Sequence, residues 1–232
     1  MIRKKILNPT SSLLEGFDDV GTPDMKYYAF DWDDNIMMMP TKIIVKDEND
    51  NEVGMSTEDF AEYRSEIGVE PFDYKGSKIV GYSDEPFRNF RTGGDKQFKI
   101  DAMKGKPGPA WSDFVEAINN GSIFSIITAR GHNPETIKDA IYNLIISDHM
   151  GINKDLLIKN LRKFRDLSNM EDKSDMELIK DYMDMNKYYP VSFGTDAGAA
   201  NPEELKVQAM KEFISYVKGQ AKELGKKLYV KD

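Results

Sequence analysis

The chain has no cysteine among its 232 residues. That excludes a disulfide scaffold, a thiolate nucleophile, an iron–sulfur cluster and a Cys-ligated zinc site. Only two histidines are present, too few for a His-rich metal centre. Positive charge is in deficit: 32 Lys and Arg face 40 Asp and Glu, a formal charge of −8. A broad basic surface following a nucleic-acid backbone does not fit that balance, although a local basic patch does. No run of about 18 apolar residues occurs, so no membrane-spanning helix and no membrane partner are expected. The basic start at residues 1–9 lacks a following apolar run of signal-peptide length. Together with the missing cysteine, this reads as a cytoplasmic protein.

What is present suits one domain carrying an elaboration. Hydrophobic residues make up 40% of the chain, and the length is enough for a sizeable core. Residues 1–24 are rich in Ser, Gly and Asp and read as an irregular arm. Short apolar runs then recur, each ending at polar residues. They cover residues 27–30, 123–127 and 189–193, and a fourth candidate covers 227–230. Runs of this kind are buried strands. Helical spacing lies between them: Trp111, Phe114, Val115 and Ile118; then Ile137, Ile141, Leu144 and Ile145; then Leu205, Ala209, Phe213 and Val217. Asn133-Pro134-Glu135 and Asn201-Pro202-Glu203 are helix starts, with Pro and an acid in the first turn. Strands alternating with helices predict an α/β fold with a parallel sheet covered on both faces.

Residues 38–105 break that alternation. They hold a hairpin from Thr41 to Val45 with its turn at 47–51, a helix over 57–67, and a Gly/Pro/aromatic segment. This stretch reads as an insertion into a core formed by residues 25–37 and 106–232. The acids from Asp47 to Glu52 read as a solvated hairpin turn; Glu52 stands where a Ca²⁺ loop needs Gly for its sharp turn.

The chemistry concentrates at Phe30-Asp31-Trp32-Asp33-Asp34-Asn35, where the first strand ends. Carboxylates at i and i+2 can share one site if the backbone turns away after the first. Asp31 has the chemistry to attack phosphorus and form an aspartyl-phosphate. Asp33 would then protonate the leaving oxygen and later activate water. A carboxylate approaching a phosphate dianion needs a cation between them, and oxygen-ligated Mg²⁺ supplies one.

This segment resembles motif I of the haloacid dehalogenase superfamily, mostly Mg²⁺-dependent phosphatases, in the pattern Asp-x-Asp-x-(Thr/Val/Asn), which Asn35 completes as a candidate substrate contact. Ile126-Ile127-Thr128-Ala129-Arg130-Gly131 is similar to motif II. The resemblance makes Thr128 the hydroxyl that binds the transferred phosphoryl group and Arg130 a substrate-binding residue. Val191-Ser192-Phe193-Gly194-Thr195-Asp196 resembles motif IV, with Asp196 joining Asp31 and Asp33 as metal ligands. Thr195 stands where many members carry another acid, and Asn201 is one residue later than the usual next polar position. The family's lysine is expected ahead of the third strand, with Lys173 the best fit and Lys180 the alternative.

The resemblance implies a Rossmann-like three-layer α/β/α core with a small cap or flap insertion. It implies phosphomonoester hydrolysis through an aspartyl-phosphate on Asp31, with Mg²⁺ as cofactor and a phosphorylated small molecule as partner. Two other functions stay open. Arg88 and Arg91, interleaved with Phe87, Phe90 and Phe98, would serve a polynucleotide-end phosphatase as a grip. A non-catalytic phospholigand-binding module on the same fold is the third reading.

Overall fold

The computed structural model describes residues 26–165, 173–195 and 201–223. The arm at 1–24 and the strand candidate at 227–230 lie outside the described residues. Strand β1 (Tyr27–Phe30) ends in the acidic turn, and β2 (Met37–Met38) leads into the insertion. The insertion contains β3 (Ile43–Asp47), β4 (Glu52–Met55), α1 (Thr57–Tyr63), β5 (Phe72–Tyr74) and β6 (Ser77–Tyr82). Helix α2 (Asp95–Lys104) and β7 (Lys106–Pro107) follow. The chain then runs through α3 (Trp111–Asn119), β8 (Ile123–Thr128), α4 (Pro134–Ile146), α5 (Lys154–Arg165), α6 (Asp175–Met185), β9 (Lys187–Pro190) and α7 (Pro202–Glu223).

The fold is mixed α/β, with seven α-helices and a three-stranded parallel sheet of order β1-β8-β9 among the described residues. Strand β8 is buried at all six positions, as a central strand covered on both faces must be. On β1 the side chains alternate. Tyr28 and Phe30 join the main core with Phe114, Phe124 and Ile126. Tyr27 and Ala29 pack on the opposite face with Phe213, Val217 and Tyr216 of α7. That period of two sends one set of side chains to each helical layer. Helices α3, α4, α5 and α6 all contribute to the main core.

The helix starts have local causes. The Asn133 side chain accepts from Glu135 N and Pro134 opens the first turn. Ser174 and Glu177 form a reciprocal capping box at α6. No helix among the described residues is long and apolar enough to cross a membrane.

The insertion is an antiparallel sheet of order β4-β3-β6-β5. It has its own small core of Val45, Met55, Ile67, Tyr74 and Ile79. The expected hairpin is present, shifted a few residues along the chain, and the expected helix is shorter. Helix α2 lies within the stretch read as insertion, yet Phe98 and Ala102 are fully buried in the main core. The elaboration therefore has two parts, a sheet with its own core and a returning helix that belongs to the main one.

Its two ends are fastened together. Met37 pairs with Pro107 and Met38 with Lys106, and Gly108 N and Ala110 N donate to Ile36 O and Asn35 O. This neck holds residues 35–38, directly after the acidic turn, against the entry to α3. Gly108 is required by space: a Cβ there would sit 2.3 Å from Asn35 O. Gly108→Ala is expected to lower stability by about 1–3 kcal/mol, the usual cost of forcing atoms into a packed region. Urea unfolding would show a lower midpoint at unchanged slope; an unchanged midpoint would show that the neck is free to give way.

Candidate functional site at the carboxyl end of the parallel sheet

Two backbone hydrogen bonds make the acidic turn after β1, Met37 N to Trp32 O and Asp34 N to Met37 O. Asp34 adopts a left-handed conformation at φ 56°, which Asp tolerates better than most residues. Trp32 is fully buried and packs 5.4 Å from the Phe98 ring. With Trp32 anchored inward, Asp31 and Asp33 remain as two partly exposed carboxylates, each 21% exposed. The insertion reaches this turn as well, because Thr57 Oγ1 at the start of α1 donates to Asp34 Oδ1 at 3.1 Å.

Each carboxylate has its own cation. Lys206 Nζ lies 2.6 Å from Asp31 Oδ2, and Trp32 N donates to Asp31 Oδ1 at 2.8 Å. Burial pushes the Asp31 carboxyl above the ordinary range; Lys206 opposes that rise and the Asp33 charge adds to it. Asp33 accepts twice from Arg130, Nε to Oδ2 and Nη2 to Oδ1, both at 2.8 Å. This is the two-pronged fork geometry that guanidinium and carboxylate planes favour.

Arg130 is 1% exposed. Phe90 and Phe98 lie against its guanidinium at 4.5 and 4.8 Å. Its Nη2 also donates to Thr41 Oγ1 at 3.2 Å, and its Nη1 faces His132 Nε2 at 3.3 Å. Thr41 in turn donates to Asp101 Oδ2, whose other oxygen accepts from Gln97. Thr128 is fully buried at the end of β8, and its Oγ1 accepts from Arg130 N at 3.3 Å.

The other expected site residues are placed as follows. Lys173 donates to Asp181 at 2.5 Å; the lysine that reaches Asp31 is Lys206. Arg88 forks onto Glu52 within the insertion, at 2.8 and 2.6 Å. Arg91 bridges Gly131 through its backbone, so this segment is tied to the loop that carries Arg130. The Asn35 backbone carbonyl serves the neck. Asn201 caps α7 by accepting from Glu203 N. Asp196 lies outside the described residues. Among the described residues no three acidic or histidine side chains converge as a metal site; Asp31 and Asp33 make two of the expected three.

Lys206 lies after the third strand, whereas the resemblance points to a lysine ahead of it. It follows Pro202 by one helical turn, on a helix that packs against the sheet face opposite the main core. An acidic first turn and a following lysine are common on solvated helices, so the sequence alone carries no signal for it. The chain matches no family model, no curated protein and no solved structure.

His132 is fully buried beside this network, with Nδ1 3.5 Å from Asp95 Oδ1. Burial, and then the Arg130 charge, push its pKa down to about 4, against the pull of Asp95. The imidazole is thus neutral in the folded state while the unfolded chain protonates near pH 6.5. The stabilisation is complete above that pH and shrinks as pH falls towards 4. Its full size is about 3 kcal/mol, from 1.36 kcal/mol per pH unit. His132→Gln is expected to flatten the stability profile between pH 6.5 and 4.5 in denaturant titrations. Equal slopes in the two proteins would show that His132 does not carry the effect.

Proposed function

We propose that the protein is a Mg²⁺-dependent phosphomonoester hydrolase of the haloacid dehalogenase type, with Asp31 as nucleophile. The observation that carries the reading is the Asp31–Lys206 contact beside Asp33, at the carboxyl end of a parallel strand. Open α/β sheets bind ligands at that edge. Thr128 ends the neighbouring strand at the same edge.

In this reading an Asp31 oxygen attacks phosphorus in line, and the bond from phosphorus to the ester oxygen breaks. The departing oxygen takes a proton through Asp33, which pairs with Arg130 as a carboxylate and therefore first accepts that proton from the entering phosphate monoester monoanion. Asp33 then removes a proton from water, which attacks the acyl-phosphate and releases phosphate and free Asp31. Lys206 lowers the repulsion between the Asp31 carboxylate and the phosphoryl oxygens. Thr128 supplies a hydroxyl for those oxygens.

The donor set suits Mg²⁺, because it is made of hard oxygens, and burial, then the Asp33 charge, disfavour the Asp31 carboxylate in a way that Lys206 only partly offsets. Asp31, the Asp33 backbone carbonyl and Asp196 would hold the ion. When bound it would neutralise charge between the carboxylates and an entering phosphate. The sheet-bearing insertion would act as the cap.

One observation favours a second reading, a phospholigand-binding module without turnover: both Asp33 oxygens are committed to Arg130 and both Asp31 oxygens are engaged. The polynucleotide-end reading loses support because Arg88 is neutralised by Glu52.

An assay with p-nitrophenyl phosphate and Mg²⁺ separates these cases. Asp31→Asn is expected to lower kcat by at least about 1,000-fold, the scale seen when a nucleophile is removed. Lys206→Met is expected to cost about 100-fold, as loss of one charge-stabilising donor does. Excess chelator abolishes the activity. Full activity in Asp31→Asn excludes the nucleophile role, and Mg²⁺-dependent phosphate binding without turnover in the wild type supports the binding module.

A further inference from the structure

Arg130 resembles a substrate-binding arginine in sequence, but its geometry assigns it elsewhere. A guanidinium has five N–H donors. In Arg130, Nε and one Nη2 hydrogen go to Asp33, the other Nη2 hydrogen goes to Thr41, and Nη1 faces His132. Phe90 and Phe98 occupy its surroundings at stacking distance, and almost none of the side chain meets solvent. A phosphate could take the Nε/Nη2 fork only by displacing Asp33.

We propose that Arg130 is a positioning residue for Asp33, held in its orientation by the insertion and α2, and that it takes no part in binding substrate. This rests on the reading of Asp33 as the proton donor and acceptor. Three of the groups that fix the guanidinium, Thr41, Phe90 and Phe98, come from the segment between the first two core strands. Thr41 is itself fixed by Asp101 of α2, and the Phe90 backbone is hydrogen-bonded to Gly131, one residue beyond Arg130. The acid–base carboxylate is therefore aimed by a chain of contacts running out of the insertion.

Leaving-group chemistry distinguishes positioning from binding. An alkyl phosphate expels a strongly basic alkoxide and needs the proton from Asp33. An aryl phosphate such as p-nitrophenyl phosphate expels a weak base and needs it far less. A residue that only aims Asp33 affects kcat on the alkyl ester most and leaves KM alone. A residue that binds phosphate raises KM for both esters.

The experiment compares wild type with Arg130→Lys, Arg130→Gln, Asp33→Asn and the double variant Asp33→Asn/Arg130→Gln, using glycerol phosphate and p-nitrophenyl phosphate with Mg²⁺. Lysine keeps the charge but not the fork. The expected result is a kcat loss at least about tenfold larger on the alkyl ester in every Arg130 variant, within the range a positioned acid contributes. KM stays within twofold, and the double variant is no slower than Asp33→Asn. Near-ultraviolet circular dichroism confirms folding. Should Arg130→Gln fail to fold, Phe90→Leu and Thr41→Val test the same point, because they loosen the guanidinium without removing it. They are expected to show a smaller loss with the same alkyl bias.

A KM rise shared by both esters overturns the proposal, as does equal kcat loss on both, or a double variant clearly slower than Asp33→Asn. Asp33→Asn with no alkyl bias, or Asp31→Asn with full activity, would instead remove the catalytic reading on which the proposal rests.

Discussion

A guanidinium cannot shed its proton in a protein, so Arg130, buried to 1%, has to be neutralised where it lies. The bidentate pair with Asp33 does this, and much of the surrounding structure follows from it. Taking both ions out of water costs more than a surface pair returns, unless the remaining donors are also satisfied. Thr41 and His132 meet two of the remaining three donors, and the rings of Phe90 and Phe98 face the guanidinium. Thr41 needs Asp101, and Asp101 needs Gln97, which draws α2 into the network. The packing of Phe98 and Ala102 in the main core is the apolar side of the same arrangement. A buried pair of this kind adds little net stability compared with apolar residues of equal volume, but it tolerates few alternative geometries.

The two neighbouring carboxylates are thus treated differently. Asp33 is met by a fixed, forked cation embedded in aromatic rings. Asp31 is met by Lys206, a single flexible ammonium on a helix from the opposite face of the sheet. Lysine is a point charge on a mobile stem, so it can move from a carboxylate to an arriving phosphoryl oxygen with little reorganisation. Arginine in a fork cannot do so without leaving an unpaired charge. One carboxylate is free to change partners and the other is held. That division suits a site in which Asp31 forms and breaks a bond while Asp33 keeps its aim.

The sequence made the sheet legible where strands are central, and less so at the edges. The runs at 27–30 and 123–127 match β1 and β8 to within a residue, because both are apolar and end at polar turns. The third apolar run spans 189–193, whereas β9 covers Lys187–Pro190. Register explains the shift. Ser125 pairs with Lys187 and Thr128 with Pro190, so the ladder runs out where β8 itself ends, with Val191 N on Thr128 O as its last bond to the strand. An edge strand also tolerates a polar first residue, which periodicity alone discounts. Helix α2 gives only a weak helical pattern because its buried apolar face is thin: Phe98 and Ala102 at i and i+4, among Lys, Gln and Asp.

The pairing of charges was illegible for a different reason. Arg130 and Asp33 are 97 residues apart, and Lys206 and Asp31 are 175 apart. Nothing local marks out Lys206 among 32 lysines and arginines, and the motif that points to Arg130 does not pair it with Asp33. Local pattern locates the acids, because they stand directly after the apolar run that forms β1 and two further apolar runs end at polar residues in the same way. Which cation serves which acid is decided by topology. Parallel strands all end at the same edge, so the loop after β8 and the start of α7, which follows β9, both lie beside the acids that end β1. The insertion completes the arrangement, because its closing segment, Phe90 to Thr92, hydrogen-bonds to Gly131 on either side of that residue's peptide. The loop bearing Arg130 is therefore clasped between the insertion on one side and Ser192, beyond β9, on the other. A segment that would otherwise be a peripheral elaboration is thereby a structural requirement for the orientation of Asp33.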